Sequence, residues 1–303
     1  MYLLSPFLLS LLLQFSNSEY SSDEYIKYKK LQHINGNPLS SKSYPYVAAI
    51  LKKYSYLCSG VLVSNLWVLS AGDPLFTIGE SYRILRVRLG STNYKKGGIL
   101  TGIQYFEIHP NFDDSKPAFD LAMIRLAAPV ESTRFVKPIR LLGSRVDTQH
   151  YGVTFWTPDP NPEDKHLPEK ERLTRRRVLQ VTHVHATEPL KCAKYVTALK
   201  IRDTGSLLCL DLPSSVVPSC TRISGAAVVT NRNLWGIVSS WRPENCQKRT
   251  SPALVNLVTV PATARWIHST IADNPWTTKN DTVKSVEEYS SVDDDEDSGA
   301  NNI

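Results

Sequence analysis

Short apolar runs recur along the first half of the chain and are separated by Pro, Gly and polar residues. The clearest is 82–90, where apolar residues alternate with arginines, a pattern typical of a strand with one buried face. Further strands are predicted at 44–51, 59–63, 67–70, 103–109 and 121–126. Six or so short strands in each half favour closed β-barrels. No helical period of any length occurs before the end of the chain.

The N-terminal 33 residues differ from this pattern. Residues 1–18 are a short apolar run followed by small residues, which predicts a cleaved signal peptide. Residues 19–33 are polar and rich in Tyr, and predict a flexible propeptide-like tether. No later run of about 20 apolar residues occurs, so no membrane span is expected.

The other end, 273–303, is predicted to be a disordered acidic tail because it has few apolar residues. From residue 285 onward it carries seven acids and no base. The whole chain has a formal net charge of +6, so residues 1–284 carry +13. Such a basic body favours an anionic partner or simply a solvated surface, and the tail itself is a candidate to fold back on it. Asn280 begins a glycosylation sequon that is usable if the chain is secreted.

Three blocks carry the candidate chemistry. Residues 66–73 read Leu-Trp-Val-Leu-Ser-Ala-Gly-Asp, 119–126 read Phe-Asp-Leu-Ala-Met-Ile-Arg-Leu, and 219–229 read Ser-Cys-Thr-Arg-Ile-Ser-Gly-Ala-Ala-Val-Val. In this order they resemble the signature blocks of trypsin-like (chymotrypsin-fold, peptidase S1) serine proteases. The resemblance implies an all-β fold of two six-stranded antiparallel β-barrels packed together with a C-terminal α-helix. It places this closing helix at 262–271, where Trp266 and Ile267 are expected to pack on the second barrel. It places one domain at 34–272, with two lobes that meet near 136–148.

The resemblance assigns Asp73 to the catalytic histidine position, Asp120 to the aspartate and Ser224 to the serine. The mechanism of the family needs a neutral imidazole that takes a proton from the serine and returns it to the leaving amine. An ordinary Asp has a pKa of about 3.9 and at neutral pH only accepts hydrogen bonds. We therefore predict an inactive homologue. The alternative is a peptidase with an unorthodox base, either Asp73 or a histidine from elsewhere such as His33.

Two further positions of this resemblance are altered. Arg222 stands where the family has the glycine of the oxyanion hole, and Ile223 stands where it has the aspartate that receives the new N-terminus after activation. The matching activation junction, 32–36, reads Gln-His-Ile-Asn-Gly and offers no basic residue to cleave after. Both ends of the activation switch are therefore expected to be missing.

The substrate pocket implied by the resemblance is also rebuilt. Pro218 replaces the pocket-floor residue, and Arg242 and Ala253 replace two glycines of the pocket walls. These side chains are expected to narrow or fill the pocket. His109 matches a turn of the family and is interpreted as structural.

The chain has five cysteines, and pairing four of them allows three connectivities. The resemblance selects the disulfides Cys192–Cys209 and Cys220–Cys246. It leaves Cys58 without its usual partner, because Pro74 occupies that position. Cys58 is then either buried as a small apolar side chain or paired between molecules. Disulfides predict an oxidising, extracellular compartment.

These features predict a secreted, non-catalytic protein that regulates proteolysis as a cofactor or decoy. The expected partners are other secreted proteins, including active proteases, or anionic glycans, with no nucleic acid, metal or cofactor. The run 172–177, which ends in three arginines, is a candidate docking patch, although charged loops are usually just solvated. An active peptidase and an inert secretory component remain the alternatives.

Overall fold

The computed structural model describes residues 33–34, 37–38, 43–79, 81–141, 150–156, 166–201, 204–212, 223–242 and 251–276. The predicted signal peptide and tether, apart from His33, lie outside these ranges. So do Pro218, Arg222, the predicted disulfide Cys220–Cys246, the sequon at Asn280 and the acidic tail from 277 onward.

The described part of the chain is mostly β. Its strands are β1 His33–Ile34, β2 Asn37–Pro38, β3 Val47–Lys52, β4 Ser55–Leu62, β5 Trp67–Ser70, β6 Leu85–Leu89, β7 Ile99–Ile108, β8 Ala122–Leu126, β9 Arg140–Leu141, β10 His150–Phe155, β11 Gln180–His185, β12 Leu207–Leu210, β13 Ala227–Thr230, β14 Asn233–Val238 and β15 Ala253–Leu257. Its helices are α1 Asp73–Phe76, α2 Glu169–Arg177, α3 Pro189–Ala198 and α4 Pro261–Ala272, and 3₁₀ turns lie at Ser81–Ile84 and Thr204–Ser206.

The first lobe is a closed barrel in the order β3-β4-β5-β8-β7-β6, with every neighbouring pair antiparallel. The alternation of buried and half-exposed residues along β6 shows which face of this strand lines the barrel. Leu85, Val87 and Leu89 are buried, whereas Arg86 and Arg88 between them are half-exposed. Successive side chains of a strand point to opposite faces, so the apolar set faces the core.

The second lobe is one sheet in the order β11-β10-β13-β14-β15-β12, with β9 added in parallel to β14. Its two edge strands meet at a bridge between Ala186 and Leu210. The sheet therefore curls until its edges touch. The predicted fold class is confirmed: two antiparallel barrel-like sheets with a C-terminal helix.

The lobes pack directly on each other. Trp156, directly after β10, is 1% exposed and its ring centroid lies 6.1 Å from that of Tyr56 in β4. Its indole N–H donates to the carbonyl of Thr92 at 3.1 Å. The side-chain amide of Asn256 in β15 accepts from the N–H of Phe119 at 2.6 Å and donates to the carbonyl of Pro117 at 2.9 Å. These bonds fix the segment before β8 against the second sheet.

The closing helix α4 forms as predicted. Trp266, which was expected to pack on the second barrel, contacts the ring of His109 in the first lobe, with centroids 4.7 Å apart. Ile267 lies in a core cluster that includes second-lobe residues such as Ile237 and Val258 as well as residues of the first barrel. The prediction was therefore wrong for the Trp266 side chain, which contacts the first lobe.

The sequence pattern also missed α2 and α3. The run 172–177 was treated as part of a charged loop, yet 169–177 is helical. The nine residues of α2 contain one leucine among charged residues, so they carry no apolar stripe that would indicate a helix. Among the described residues, no helix is long and apolar enough to cross a membrane.

Candidate functional site

Asp120 is the centre of the candidate site. It lies two residues before the buried strand β8 and is 1% exposed. Its Oδ1 accepts the N–H groups of Gly72 and Asp73 at 2.7 and 2.8 Å. Its Oδ2 accepts the hydroxyl of Ser239 at 2.7 Å, and the N–H and hydroxyl of Ser240 at 2.7 and 2.8 Å. A buried carboxylate is tolerated only when its oxygens are hydrogen-bonded, and here both are.

Asp73 begins the short helix α1, directly after β5 and Gly72. Pro74 follows it, and proline is favoured in the first turn of a helix because no N–H is needed there. The Asp73 side chain is half-buried, and its Oδ2 lies 2.9 Å from the hydroxyl oxygen of Ser240. The single hydroxyl proton of Ser240 therefore serves two carboxylates, donating to one at a time.

Ser224 lies on a tight turn at the junction of the two lobes and is 6% exposed. Its carbonyl accepts the N–H of Ser59 at 2.9 Å, and the next residue, Gly225, donates its N–H to Val238 at 2.9 Å. Gly225 has φ +76°, and a Cβ placed there would lie 2.0 Å from the Ser59 carbonyl oxygen and 2.7 Å from the Ser70 hydroxyl. Only glycine fits so close to the first barrel.

The described residues place no histidine at this site. No hydrogen bond joins an imidazole to Ser224 or Asp120 within the described ranges, and the Ser224 hydroxyl has no partner there either. His33 lies on β1, where its backbone pairs with Pro38. In the described part of the chain, no group of three or more His, Cys, Asp or Glu side chains is arranged to hold a metal ion.

His109 is part of an aromatic cluster. It is 3% exposed, its ring stacks on Phe119 with centroids 4.8 Å apart, and its Nδ1 accepts the N–H of Asn111 at 3.1 Å. Burial lowers the pKa of His109 to about 4, because the cation would lose its hydration. A neutral ring between Phe119 and Trp266 suits a packing role.

Cys58 lies under the site. It is buried and free, and its Sγ is 3.5 Å from the hydroxyl of Ser70, which itself donates to the Ser59 carbonyl at 2.6 Å. Burial raises the pKa of the Cys58 thiol to about 12; the hydrogen bond with Ser70 opposes this rise and the charge of Asp120 adds to it. A neutral buried thiol is inert. Of the two fates expected for Cys58, the structure has the buried one.

The remaining described positions are placed as follows. Ile223 is fully buried in the apolar core of the second lobe, and Ala253 is 4% exposed in the same core. Arg242 is half-buried and its Nη1 donates to the carbonyl of Trp241 at 2.9 Å. The disulfide Cys192–Cys209 joins α3 to β12.

Sequence reasoning missed the serine pair Ser239 and Ser240 as partners of Asp120. The only sign of their role was two adjacent hydroxyl residues at the end of the apolar run 235–238. Ser239 and Ser240, which follow β14, are 0% and 2% exposed. Two adjacent serines are rarely buried in this way unless their hydroxyls bond to a buried acceptor.

Comparison with known proteins identifies the family to which the chain belongs. A family model described as Trypsin matches residues 33–267. The chain belongs to the trypsin family. This trypsin-family chain is 27% identical over 241 residues to Trypsin of Sarcophaga bullata, covering 78% of this chain and 88% of that protein. It is 28% identical over 256 residues to Kallikrein-2 of Homo sapiens, covering 80% and 90%.

A solved structure has the same fold as this trypsin-family chain. It is described as neuropsin, a serine protease expressed in the limbic system of mouse brain. The two superpose with a TM-score of 0.60 at 23% sequence identity, over 77% of this chain and 96% of that one.

Proposed function

We propose that this trypsin-family chain is a non-catalytic protein that acts by binding, as a regulator, cofactor or decoy of proteolysis. The observation that carries the proposal is that the Ser240 hydroxyl lies within hydrogen-bond distance of both Asp73 and Asp120. In this assignment Asp73 occupies the position of the family's histidine, so a second carboxylate stands beside Asp120 in place of an imidazole. Among the described residues, the site then holds two carboxylate acceptors and no imidazole that could take a proton from the serine and return it.

The proposed loss of chemistry is large. In a comparable triad, removal of the histidine alone lowers kcat by about 10⁶. What remains is substrate binding and the oxyanion hole, worth about 10³–10⁴ over water. With Arg222 in place of the oxyanion glycine, even that remainder is expected to shrink, because a residue with a Cβ pays to adopt the backbone angles that glycine adopts freely.

The environment of Ile223 supports loss of the activation switch as well. In the proposed assignment this position would carry the carboxylate that pairs with a newly released N-terminal ammonium. Ile223 is instead fully buried in an apolar core with Ala226 and Val228. An ammonium brought to this core would be an unpaired buried charge, which is strongly unfavourable. Cleavage near 32–36 is therefore expected to leave the site unchanged.

A fluorophosphonate probe tests the proposal, because it labels an activated serine covalently. The wild-type chain is treated with the probe before and after trypsin nicking, beside the matched variant Ser224→Ala and an active trypsin. We expect wild type and Ser224→Ala to give the same background. Stoichiometric labelling of Ser224 would support the alternative, a serine peptidase with an unorthodox base, and would overturn the proposal.

Secretion is part of the proposal. The apolar run 1–18 supports it, and so does the Cys192–Cys209 disulfide, because disulfides persist in oxidising compartments. The chain expressed in a secretory cell line should appear in the medium with a new N-terminus near residue 19. Treatment with a glycosidase should lower its mass, and Asn280→Gln should remove that difference. Retention of the chain with Met1 intact would contradict this part.

Binding to secreted proteins or anionic glycans separates a regulator from an inert component. The run 172–177 at the end of α2 supplies the proposed basic contact. Capture from the native secretion on immobilised wild type is compared with capture on a variant in which Arg175, Arg176 and Arg177 are alanine. We expect specific partners that are retained by wild type and lost by the variant. Equal, non-specific capture by both would favour the inert alternative.

A further inference from the structure

Arg125 is a buried cation on the first barrel. It lies in β8 and is 7% exposed. Its Nε donates to Oε1 of Gln104 at 2.9 Å, and its Nη2 donates to the carbonyl of Pro275 at 3.0 Å. Its Nη1 is buried and has no acceptor among the described residues. The one ion pair found in those residues joins Lys116 to Asp113, so the guanidinium has no carboxylate partner there.

A second donor without an acceptor belongs to the same cluster. The indole of Trp67 lies beneath the guanidinium, 5.9 Å from its central carbon, and Trp67 is 1% exposed. The Trp67 Nε1–H is also buried without an acceptor among the residues that the structure describes. A buried charge is tolerated when it is paired, and a buried N–H without an acceptor is costly. A carboxylate suits this cluster, since it brings one negative charge and two accepting oxygens.

The chain's own continuation runs past this cluster. Asn274 donates its side-chain amide to the carbonyl of Thr270 at the end of α4, and Pro275 is bonded to Arg125. The segment 277–303 therefore starts beside the unpaired guanidinium. Its first carboxylate is Asp281, Lys284 follows, and seven more carboxylates lie between 287 and 297 with no base among them.

The length of the tail and the small entropic cost of closing a loop both allow the tail to return to Arg125. An extended chain covers about 3.3–3.6 Å per residue, so the residues after 276 have ample length to fold back on the place where they leave the barrel. Closing such a loop becomes only slightly more costly as it lengthens, by about 0.6 kcal/mol for each doubling. Residues 1–284 carry a formal net charge of +13, whereas residues 285–303 carry seven acids and no base. Electrostatic attraction between them favours the same contact.

We infer that Arg125 is the docking site for the acidic tail of the same chain. A tail carboxylate within 281–297 pairs with Nη1 of Arg125, and this pairing holds the tail against the β7–β8 side of the first barrel. The inference goes beyond the proposed function and is independent of the chemistry at Ser224. It concerns the surface of β7 and β8, which is separate from the site that the fluorophosphonate probe tests.

A double-mutant cycle tests the pairing. One variant is Arg125→Met. The other keeps the full length but changes the eight carboxylates of 281–297 to amides, because a chain ended at Trp276 would place its own terminal carboxylate near Arg125. Two readouts are followed: the urea midpoint of unfolding and the rate of trypsin cleavage after Lys284. We expect cleavage to be roughly tenfold faster in each variant than in wild type, and the double variant to be no faster than Arg125→Met alone.

The control is Arg86→Met, because Nη1 of Arg86 donates only to backbone carbonyls, those of Arg83 and Leu85. The changes that Arg86→Met causes in the urea midpoint and in the cleavage rate should add to those caused by the tail variant. Unchanged midpoint and unchanged cleavage in the tail variant would overturn the inference, and that arm does not require Arg125→Met to fold. Equal stabilisation of wild type and the tail variant by added acetate would also overturn the inference. It would show that the site at Arg125 is open to a free carboxylate in wild type and is not occupied by the tail.

Discussion

The carboxylate of Asp73 lies 2.9 Å from the hydroxyl of Ser240, Oδ2 to Oγ. The same hydroxyl is 2.8 Å from Oδ2 of Asp120. Asp73 is thereby drawn into the hydrogen-bond network of the buried aspartate, and this network is complete without a basic side chain. These bonds link Gly72 and Asp73 of the first lobe to Ser239 and Ser240 of the second through Asp120, so they stabilise the junction between the lobes.

The first prediction concerns Asp120. Asp120→Asn keeps the shape but replaces one accepting oxygen by a donor, which would face either the N–H groups of Gly72 and Asp73 or the Ser239–Ser240 pair. Each lost bond to a charged group costs about 1.5–3 kcal/mol. We expect the free energy of unfolding in urea to fall by about 3 kcal/mol or more.

Asp113→Asn is its control, because the Asp113 carboxylate is exposed and bonds Lys116 and Ser115 at the surface. It should leave the urea midpoint nearly unchanged. Equal effects of the two substitutions would show that Asp120 contributes no more than an exposed aspartate.

The second prediction concerns the turn that carries Ser224. Gly225→Ala brings a Cβ within 2.0 Å of the Ser59 carbonyl oxygen at a positive φ of +76°. Overpacking and backbone strain together should destabilise the protein by about 3 kcal/mol. Gly79→Ala is matched, since Gly79 has φ +58° and no atom within 4 Å of its added Cβ. It should cost only about 1 kcal/mol. Similar thermal midpoints for the two variants would contradict the close approach of the lobes.

The fold was largely predictable, because buried strands reveal themselves by alternation and by runs such as 67–70. The hydrogen-bond network of Asp120 was not. Ser239 and Ser240 are 119 residues or more from Asp120 in the sequence, and nothing local distinguishes two buried serines from a polar strand end. Helix α3 was missed although Cys192, Tyr195, Val196 and Leu199 recur at helical spacing and pack in one apolar cluster. The stripe is short and only Val196 in the helix is fully buried, so the pattern was overlooked.

The third prediction concerns Cys58. Its thiol is buried and its pKa is raised to about 12, so at pH 8 it stays protonated and inaccessible. Iodoacetamide should not modify Cys58 in the native protein over hours but should modify it fully in urea. Mass spectrometry of wild type and Cys58→Ala separates this label from any other. Rapid native labelling would show that the site is open beneath Ser70.

The fourth prediction concerns the pH dependence of stability. Burial holds the pKa of His109 near 4 in the folded state, below its ordinary value of about 6.5. As the pH falls from about 6.5 to 4, the unfolded chain therefore binds the proton first, and stability is lost in that window. His109→Gln should reduce this slope of unfolding free energy against pH. His268→Gln, at an exposed position of α4, should leave the slope as it is.

The most direct measurement of the central claim is the hydrolysis of an activated peptide ester by wild type and by Ser224→Ala at equal concentration and neutral pH. A hydroxyl without a proton shuttle is expected to add nothing, so the two rates should coincide and lie about 10⁶-fold below that of an active trypsin. A wild-type rate that exceeds the Ser224→Ala rate and saturates with substrate would contradict the account.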